Sequence, residues 1–336
     1  MKTQRLKTIV SRFADKKIAV VGDLMLDVYV WGKASRISPE APVPVVQVSR
    51  KSCCLGGAAN VMRNAVTLGG SVKAFGIIGN DEDGREIKTL FSEYGIIPDT
   101  VQVDSSRRTT QKQRVIAGAQ QLLRVDYEDT EAVPAECREL IVSQLVKLID
   151  RGEIDAVIFE DYGKGLLEES MLQRIVDAAC RKNIITALDP KPGHLMRVKG
   201  LTVMKPNRTE AFAMAGVFQK DSGVAVADDH DLKLVAEKLL EEWKPEHLLI
   251  SLAAQGMALF RKNAEIVIIP TRAREVYDVS GAGDTVIAAF TLAMTAGATP
   301  EEAAEIANHA AGIVVGKVGT VTVSADELIK SFDLED

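Results

Sequence analysis

The run Asp278-Val279-Ser280-Gly281-Ala282-Gly283-Asp284-Thr285 has the residue types needed to handle a phosphoryl group. At a helix start, Gly281-Ala282-Gly283 would present unpaired backbone N–H groups with little side-chain obstruction. The helix dipole adds about half a positive charge at such an end, which makes an anion site. Asp284 falls in the first turn beside it, where a carboxylate can take the proton of an attacking hydroxyl. The same spacing also suits a plain glycine turn whose aspartate complements the helix dipole, and spacing alone leaves both open. Other nucleotide motifs fare worse. There is no Gly-x-x-x-x-Gly-Lys-Ser/Thr run, and Val286 stands where a dinucleotide fingerprint needs its third glycine.

The elements that must hold this turn alternate. Short β-rich runs occur at Ile18 to Val21, Val72 to Ile78, Ala156 to Phe159, Ile185 to Leu188, Leu201 to Met204 and Leu248 to Ser251, with helical periodicity between most of them. Such alternation predicts an α/β fold with a doubly wound, mostly parallel sheet flanked by helices and ligands at the carboxyl ends of its strands. The helix opened by Gly283 to Thr285 should run through Phe290 and stop near Gly297, and Thr299-Pro300-Glu301-Glu302 reads as the start of the next. Two stretches break the rhythm, Val28 to Ser49 with Pro39, Pro42 and Pro44, and Val101 to Tyr127 with its mixed Thr, Arg, Lys and apolar residues. They predict an inserted small β-sheet lid over one domain spanning 1–336, or else a pair of edge hairpins; a lid would keep competing water from a transfer reaction.

With 336 residues, 46% hydrophobic and 26% charged, the chain can bury a sizeable core, and its net charge of -6 argues against broad nucleic-acid or anionic-membrane binding. Cys53, Cys54, Cys137 and Cys180 have neither zinc nor disulfide-framework spacing, and His194, His230, His247 and His309 have no ligand spacing. No apolar run reaches membrane-spanning length and the N-terminus lacks a signal-peptide pattern, so a cytoplasmic protein is expected.

Three ordered motifs make the chain resemble the ribokinase/PfkB carbohydrate kinases over essentially its whole length: Gly56-Gly57-Ala58-Ala59-Asn60, Asn207-Arg208-Thr209-Glu210, and the Asp278-to-Thr285 run. Within that family the likeness is greatest to the D-glycero-β-D-manno-heptose-7-phosphate kinases, through Gly22 to Asp27, Arg36 to Val45, Asp161-Tyr162-Gly163-Lys164-Gly165, Asp189-Pro190-Lys191 and Glu275 to Asp278. The resemblance implies an ATP-dependent, Mg²⁺-requiring kinase that phosphorylates C1 of the heptose phosphate on the route to ADP-heptose for lipopolysaccharide. Another ribokinase-like kinase, or a non-catalytic ligand-binding relative, are the alternatives. The chain ends at Asp336 with no C-terminal nucleotidyltransferase expected, so adenylylation would fall to another protein.

The resemblance also implies roles. Asp284 becomes the base, and Gly281, Ala282 and Gly283 the anion hole. Asp27, Gly56, Gly57 and Asn60 would contact the sugar, although a turn aspartate and a tight turn into the Ala58-to-Leu68 helix account for them as well. Asn207 and Glu210 would order the waters of Mg²⁺, although they also have helix-capping spacing. Arg208, Thr209, Ser251, Gly256 and Asn308 complete the nucleotide side, and Asp278 is the candidate for a monovalent cation such as K⁺. A phosphorylated acceptor needs cations, for which Lys112, Arg114, Arg124, Lys164 and Lys191 are the candidates. A homodimer through the lid strands is expected from their exposed edges. Leu55, Glu160 and His309 depart from the family's usual proline, serine and small residue.

Overall fold

The computed structural model describes residues 2–118, 120–219, 223–273 and 275–335. Its strands are β1 (Lys17–Gly22), β2 (Leu24–Ile37), β3 (Pro44–Gly57), β4 (Ser71–Gly79), β5 (Val101–Asp104), β6 (Thr110–Ala117), β7 (Gln120–Tyr127), β8 (Ala156–Glu160), β9 (Ile185–Asp189), β10 (Val203–Met204), β11 (His247–Ser251), β12 (Met257–Phe260) and β13 (Val267–Ile269). Nine of them form one sheet in the order β13-β12-β11-β10-β9-β8-β1-β4-β5. All its pairings are parallel except β11 with β12 and β12 with β13.

Burial on both faces follows from the strands' own residues. Ile18 and Val20 of β1 pack into one cluster with helices Ala58–Thr67, Ala282–Thr295 and Pro300–Val315, while Ala19 and Val21 pack into another with Ala135–Asp150 and Glu169–Arg181. A period of two with apolar residues at every position leaves a strand no wet face, so helices must cover both. A third cluster lies under Arg208–Met214 and His230–Glu242, centred on the fully buried Trp243. Chain order reverses direction across the sheet at β1, which has β4 on one side and β8 on the other. Crevices at the carboxyl ends of strands form at such reversals.

The lid is a four-stranded sheet in the order β3-β2-β6-β7, with β2 and β6 parallel. Its bounds correct the sequence expectation at both segments. β2 and β3 run inward to Leu24 and Gly57, beyond 28–49. Val101–Asp104 leaves the lid altogether: Gly76 to Gly79 of β4 pair with it, so it extends the large sheet and the lid's second segment begins at Thr110. The strand expected from Leu201 is shorter, since only Val203 and Met204 pair with both neighbours. No helix among the described residues is long and apolar enough to cross a membrane.

Trp243 is the largest of the fully buried side chains, and its Nε1 donates to the carbonyl of Met196 at 2.7 Å. Trp243→Ala removes both packing and a donor, so unfolding in urea followed by circular dichroism should show a loss of about 3–5 kcal/mol.

Candidate active site

Gly281 caps the helix Ala282–Thr295 with φ 79° and ψ 3°, a left-handed conformation that favours glycine. A Cβ there would also lie 2.8 Å from Nδ2 of Asn60. The turn therefore places Asp284 in the first helical turn, buried, with its carboxylate held from two directions. Asn60 Nδ2 donates to Oδ2 at 2.6 Å and the Tyr162 hydroxyl donates to Oδ1 at 3.0 Å. Burial pushes the Asp284 carboxyl up to about 6; the Asn60 bond opposes the rise and the nearby charge of Asp189 adds to it. It is thus ionised at neutral pH yet more basic than an exposed aspartate.

Asn60 is itself fixed. Its Oδ1 accepts from Arg63 at 2.7 Å, and Arg63 also donates to the Thr320 carbonyl. One turn on, the Thr285 hydroxyl donates to Oδ1 of Asn64 at 2.8 Å. Helix Ala58–Thr67 reaches this position because β3 runs straight into it through Gly56 and Gly57. A Cβ on Gly56 would meet the Asp27 carboxylate at 2.9 Å, and Gly57 has φ 55°. Asp27 is buried and accepts from Arg114 Nη1 at 2.7 Å, while the Arg114 guanidinium also lies over the Tyr29 ring.

On the other side of Asp284, three strand ends meet. Glu160 and Asp189 lie side by side in the register of β8 and β9, and Lys205 directly follows β10. Lys205 Nζ is 2.8 Å from Oδ2 of Asp189 and 3.4 Å from where a Gly283 Cβ would sit. Burial works against the Lys205 charge, but the charge and hydrogen bond of Asp189, together with the charges of Glu160 and Glu210, outweigh it and the ammonium's pKa is raised. Burial, then the charges of Asp189 and Asp284, hold the Glu160 carboxyl well above the usual carboxylate range. Asn207 and Glu210 form a full capping box: Glu210 N–H donates to Asn207 Oδ1 at 2.9 Å, and Asn207 N–H to Glu210 Oε2 at 2.8 Å. The Glu210 carboxyl is raised first by burial and then by the charge of Asp189.

The structure thus gathers Gly281 to Asp284 with Asn60, and Asp27 with Gly56, Gly57 and Arg114. Other expected residues have structural partners. Lys112 and Arg124 both bind Asp126, at 3.0 and 2.8 Å, and Lys164 binds Glu128 at 2.8 Å. Lys191 is exposed. Arg208 pairs with Asp229 and lies over Phe212, and Thr209 is exposed. Ser251 bridges to Asn207, Gly256 takes φ 87° in a turn where a Cβ would strike the Ile269 carbonyl, and Asn308 Nδ2 donates to the Pro270 carbonyl. Both oxygens of Asp278 accept backbone N–H groups, from Ser280 and Gly319, which ties the segment leading into the Gly281 turn to the 319 loop.

Sequence reasoning gave no role to five residues of this site: Asp23, Glu160, Tyr162, Asp189 and Lys205. Buried Asp23, pushed up by its burial to about 6, accepts from the N–H groups of Tyr162 and Lys164 and so sets the loop that brings Tyr162 to Asp284. Four of the five share one readable signal, a polar residue just after or at the end of an apolar parallel strand.

The chain is 40% identical over 334 residues to the protein named Bifunctional protein HldE of Pelobacter propionicus, covering 99% of this chain and 67% of that one. It is 42% identical over 316 residues to the protein of the same name from Geobacter sulfurreducens, covering 94% and 63%. It therefore spans about two thirds of the length of these relatives. Among solved structures, Escherichia coli phosphofructokinase-2 in complex with potassium superposes with a TM-score of 0.75 at 19% identity, covering 95% of this chain and 98% of that one. Arabidopsis thaliana ribokinase complexed with ribose and ATP gives 0.70 at 19%, covering 94% and 98%. The ribokinase-like fold is common to all. Residues 15–327, which contain the Asp284 turn, the glycine pair and the Asn207–Glu210 box, match the profile described as pfkB family carbohydrate kinase, so the chain belongs to that family of phosphotransferases.

Proposed function

We propose that the chain transfers the γ-phosphoryl group of ATP to the C1 hydroxyl of D-glycero-β-D-manno-heptose 7-phosphate, giving the 1,7-bisphosphate. The observation that carries the proposal is the Asp284 carboxylate, buried, basic and aimed by Asn60 and Tyr162 at the N-terminus of a glycine-opened helix. Identity of about 40% to the bifunctional HldE proteins and the runs quoted above support the choice of acceptor.

In this reading Asp27 and the Asn60 region hold sugar hydroxyls, with Arg114 beside them as the cation within reach of an anionic acceptor. The C1 oxygen attacks phosphorus as its proton passes to Asp284; the new O–P bond forms, the bond to the β-phosphate oxygen breaks, and ADP leaves. The Ala282 N–H expected to be unpaired already donates to the Val279 carbonyl at 3.2 Å, so the charge that develops on the transferring group falls to the N–H groups of Gly281 and Gly283, with Lys205 close by. The donor set fits magnesium: the capping bond uses one oxygen of Glu210 and leaves the other to accept from waters, which this ion retains. Bound there with ATP, the ion would neutralise phosphate charge. Asp278 would serve a monovalent cation through the loop it closes. The edges β3 and β7 of the lid sheet carry the proposed homodimer contact.

An acceptor screen with ATP and Mg²⁺, with products read by phosphorus NMR, tests the assignment. Phosphate should appear at C1 of the heptose phosphate. Preferred phosphorylation of another sugar would overturn the acceptor and leave the kinase standing. Asp284→Asn in the same screen should lose about 10²- to 10⁴-fold in kcat.

Because the Asp284 base acts ionised and titrates at about 6, kcat/KM should fall about tenfold per pH unit below that value, rather than below the ordinary aspartate range near 4. A flat profile down to pH 5 would remove Asp284 as the base.

The same shift acts on stability. A carboxyl that titrates higher folded than unfolded favours the folded state only when protonated, so above pH 6 the fold bears the cost of the ionised group. From 3.8 to about 6 this cost is about 3 kcal/mol. Asp284→Asn should therefore raise the melting temperature at pH 7.5 by roughly 4 °C, a gain that shrinks as the pH is lowered through 6 toward 4. Calorimetry at the two pH values reads it directly.

A further inference from the structure

Tyr29 of β2 is half-buried, and its hydroxyl lies 3.0 Å from Oγ1 of Thr320, in the loop that follows the helix Pro300–Val315. Its ring has little freedom to turn. It stacks on Trp31 with centroids 5.9 Å apart and planes 18° apart, and the Arg114 guanidinium lies 5.4 Å from its centroid. Trp31 is held in turn by its Nε1, which donates to the Ser52 hydroxyl of β3 at 3.1 Å. The lid sheet thus sets where the Tyr29 hydroxyl stands.

Thr320 belongs to no helix or strand. Its carbonyl accepts from Nη2 of Arg63 at 2.9 Å, and the same nitrogen donates to Oδ1 of Asn60 at 2.7 Å. A terminal guanidinium nitrogen carries two hydrogens, so these acceptors use both. Arg63 is 4% exposed and its Nε has no hydrogen-bond partner, which leaves its aim to the Nη2 pair. Moving the Thr320 carbonyl therefore turns the guanidinium, and turning it frees the oxygen of Asn60, whose nitrogen holds Asp284 at 2.6 Å. Thr320 also packs against the turn itself, since a Cβ on Gly281 would lie 3.0 Å from its Cγ2.

We infer that Tyr29 is a positioning residue for the base, its hydroxyl holding the 320 loop in the place from which Arg63 and Asn60 aim the Asp284 carboxylate. The inference rests on the reading of Asp284 as the base. With the lid raised, Tyr29 leaves Thr320 and the base loses its aim. With the lid lowered over an acceptor, the contacts from Tyr29 to Asp284 close together. Alignment of the base is thereby confined to the covered pocket, from which water is excluded.

Tyr29→Phe tests this, because it keeps the ring, its stacking and the guanidinium contact and removes only the oxygen. With ATP, Mg²⁺ and the acceptor that the screen selects, kcat should fall about 10- to 100-fold while KM for the acceptor stays within about twofold. A KM raised about tenfold or more would make Tyr29 a direct contact of the acceptor, and an unchanged kcat would leave no relay; either overturns the inference. Arg63→Met supplies the second measurement. Tyr29 and Arg63 share Thr320 as their common partner, so a relay predicts a double variant no slower than the slower single one, whereas separate roles give losses in kcat that multiply and overturn it. Melting curves confirm that each variant is folded. If Arg63→Met is not, Arg63→Lys takes its place, and if neither is, the split between KM and kcat in Tyr29→Phe decides. A parent that transfers phosphate to no acceptor sinks the kinase reading itself, whereas every outcome above is a ratio to a working parent, so the two failures are told apart.

Discussion

Everything at this site hangs on the hydrogen bond between Asn60 and Asp284. It joins the second helix of the chain to one that begins more than two hundred residues later, at a separation of 2.6 Å. Asn60 donates with its amide nitrogen because Arg63 occupies its oxygen, so the orientation of the amide is fixed rather than free to turn. The same pair of helices is pinned again by Thr285 and Asn64. The glycine before each helix lets the two approach closely enough for both bonds. A side chain at Gly57 or Gly281 would push Met25 and the Asp23 carbonyl, or Asn60 itself, out of place. Packing between apolar faces brings the helices together, and the two polar bonds fix their register.

The large sheet supplies a second constraint. Parallel strands that end level bring successive polar residues into one row, here Glu160, Asp189 and Lys205, and burial turns that row into a strong local field. Lys205 stays charged although buried because Asp189 is in contact with it. Asp284, reached from the opposite direction by the N-terminus of a helix, feels the same field and becomes a better base for it. Positive helix end and negative strand ends thus act on one carboxylate from two sides.

The sequence made some of this legible. Gly281-Ala282-Gly283-Asp284 could be read as a helix-opening anion turn because all of its information lies within four residues. The alternation of strands and helices gave the doubly wound sheet for the same reason: periodicity is local. The row at 160, 189 and 205 could not be assembled, since its members become neighbours only through the order β10-β9-β8. Nor could the partners of the lid cations. Lys112 faces Asp126 across β6 and β7 because of the register those strands adopt, whereas Arg124 reaches the same aspartate from two residues away on its own strand. Val101–Asp104 read as lid because its composition continues that of the next strand, whereas its pairing is decided by β4.

Asp23 is the single residue between β1 and β2, and its carbonyl accepts from the N–H of Ala58, where β3 becomes a helix. Both long lid strands are therefore anchored within one turn of backbone, while 14 residues of β2 carry the far end about 46 Å outward. That is the geometry of a lever whose inner end lies beside Asp27. A rotation of one degree at Asp23 would move the tip by roughly 0.8 Å and Asp27, four residues out, by roughly 0.2 Å at this strand length. Leu24, Leu26 and Val28 are packed in the core and hold the inner end of β2, while its outer third, from Ala34 on, is exposed.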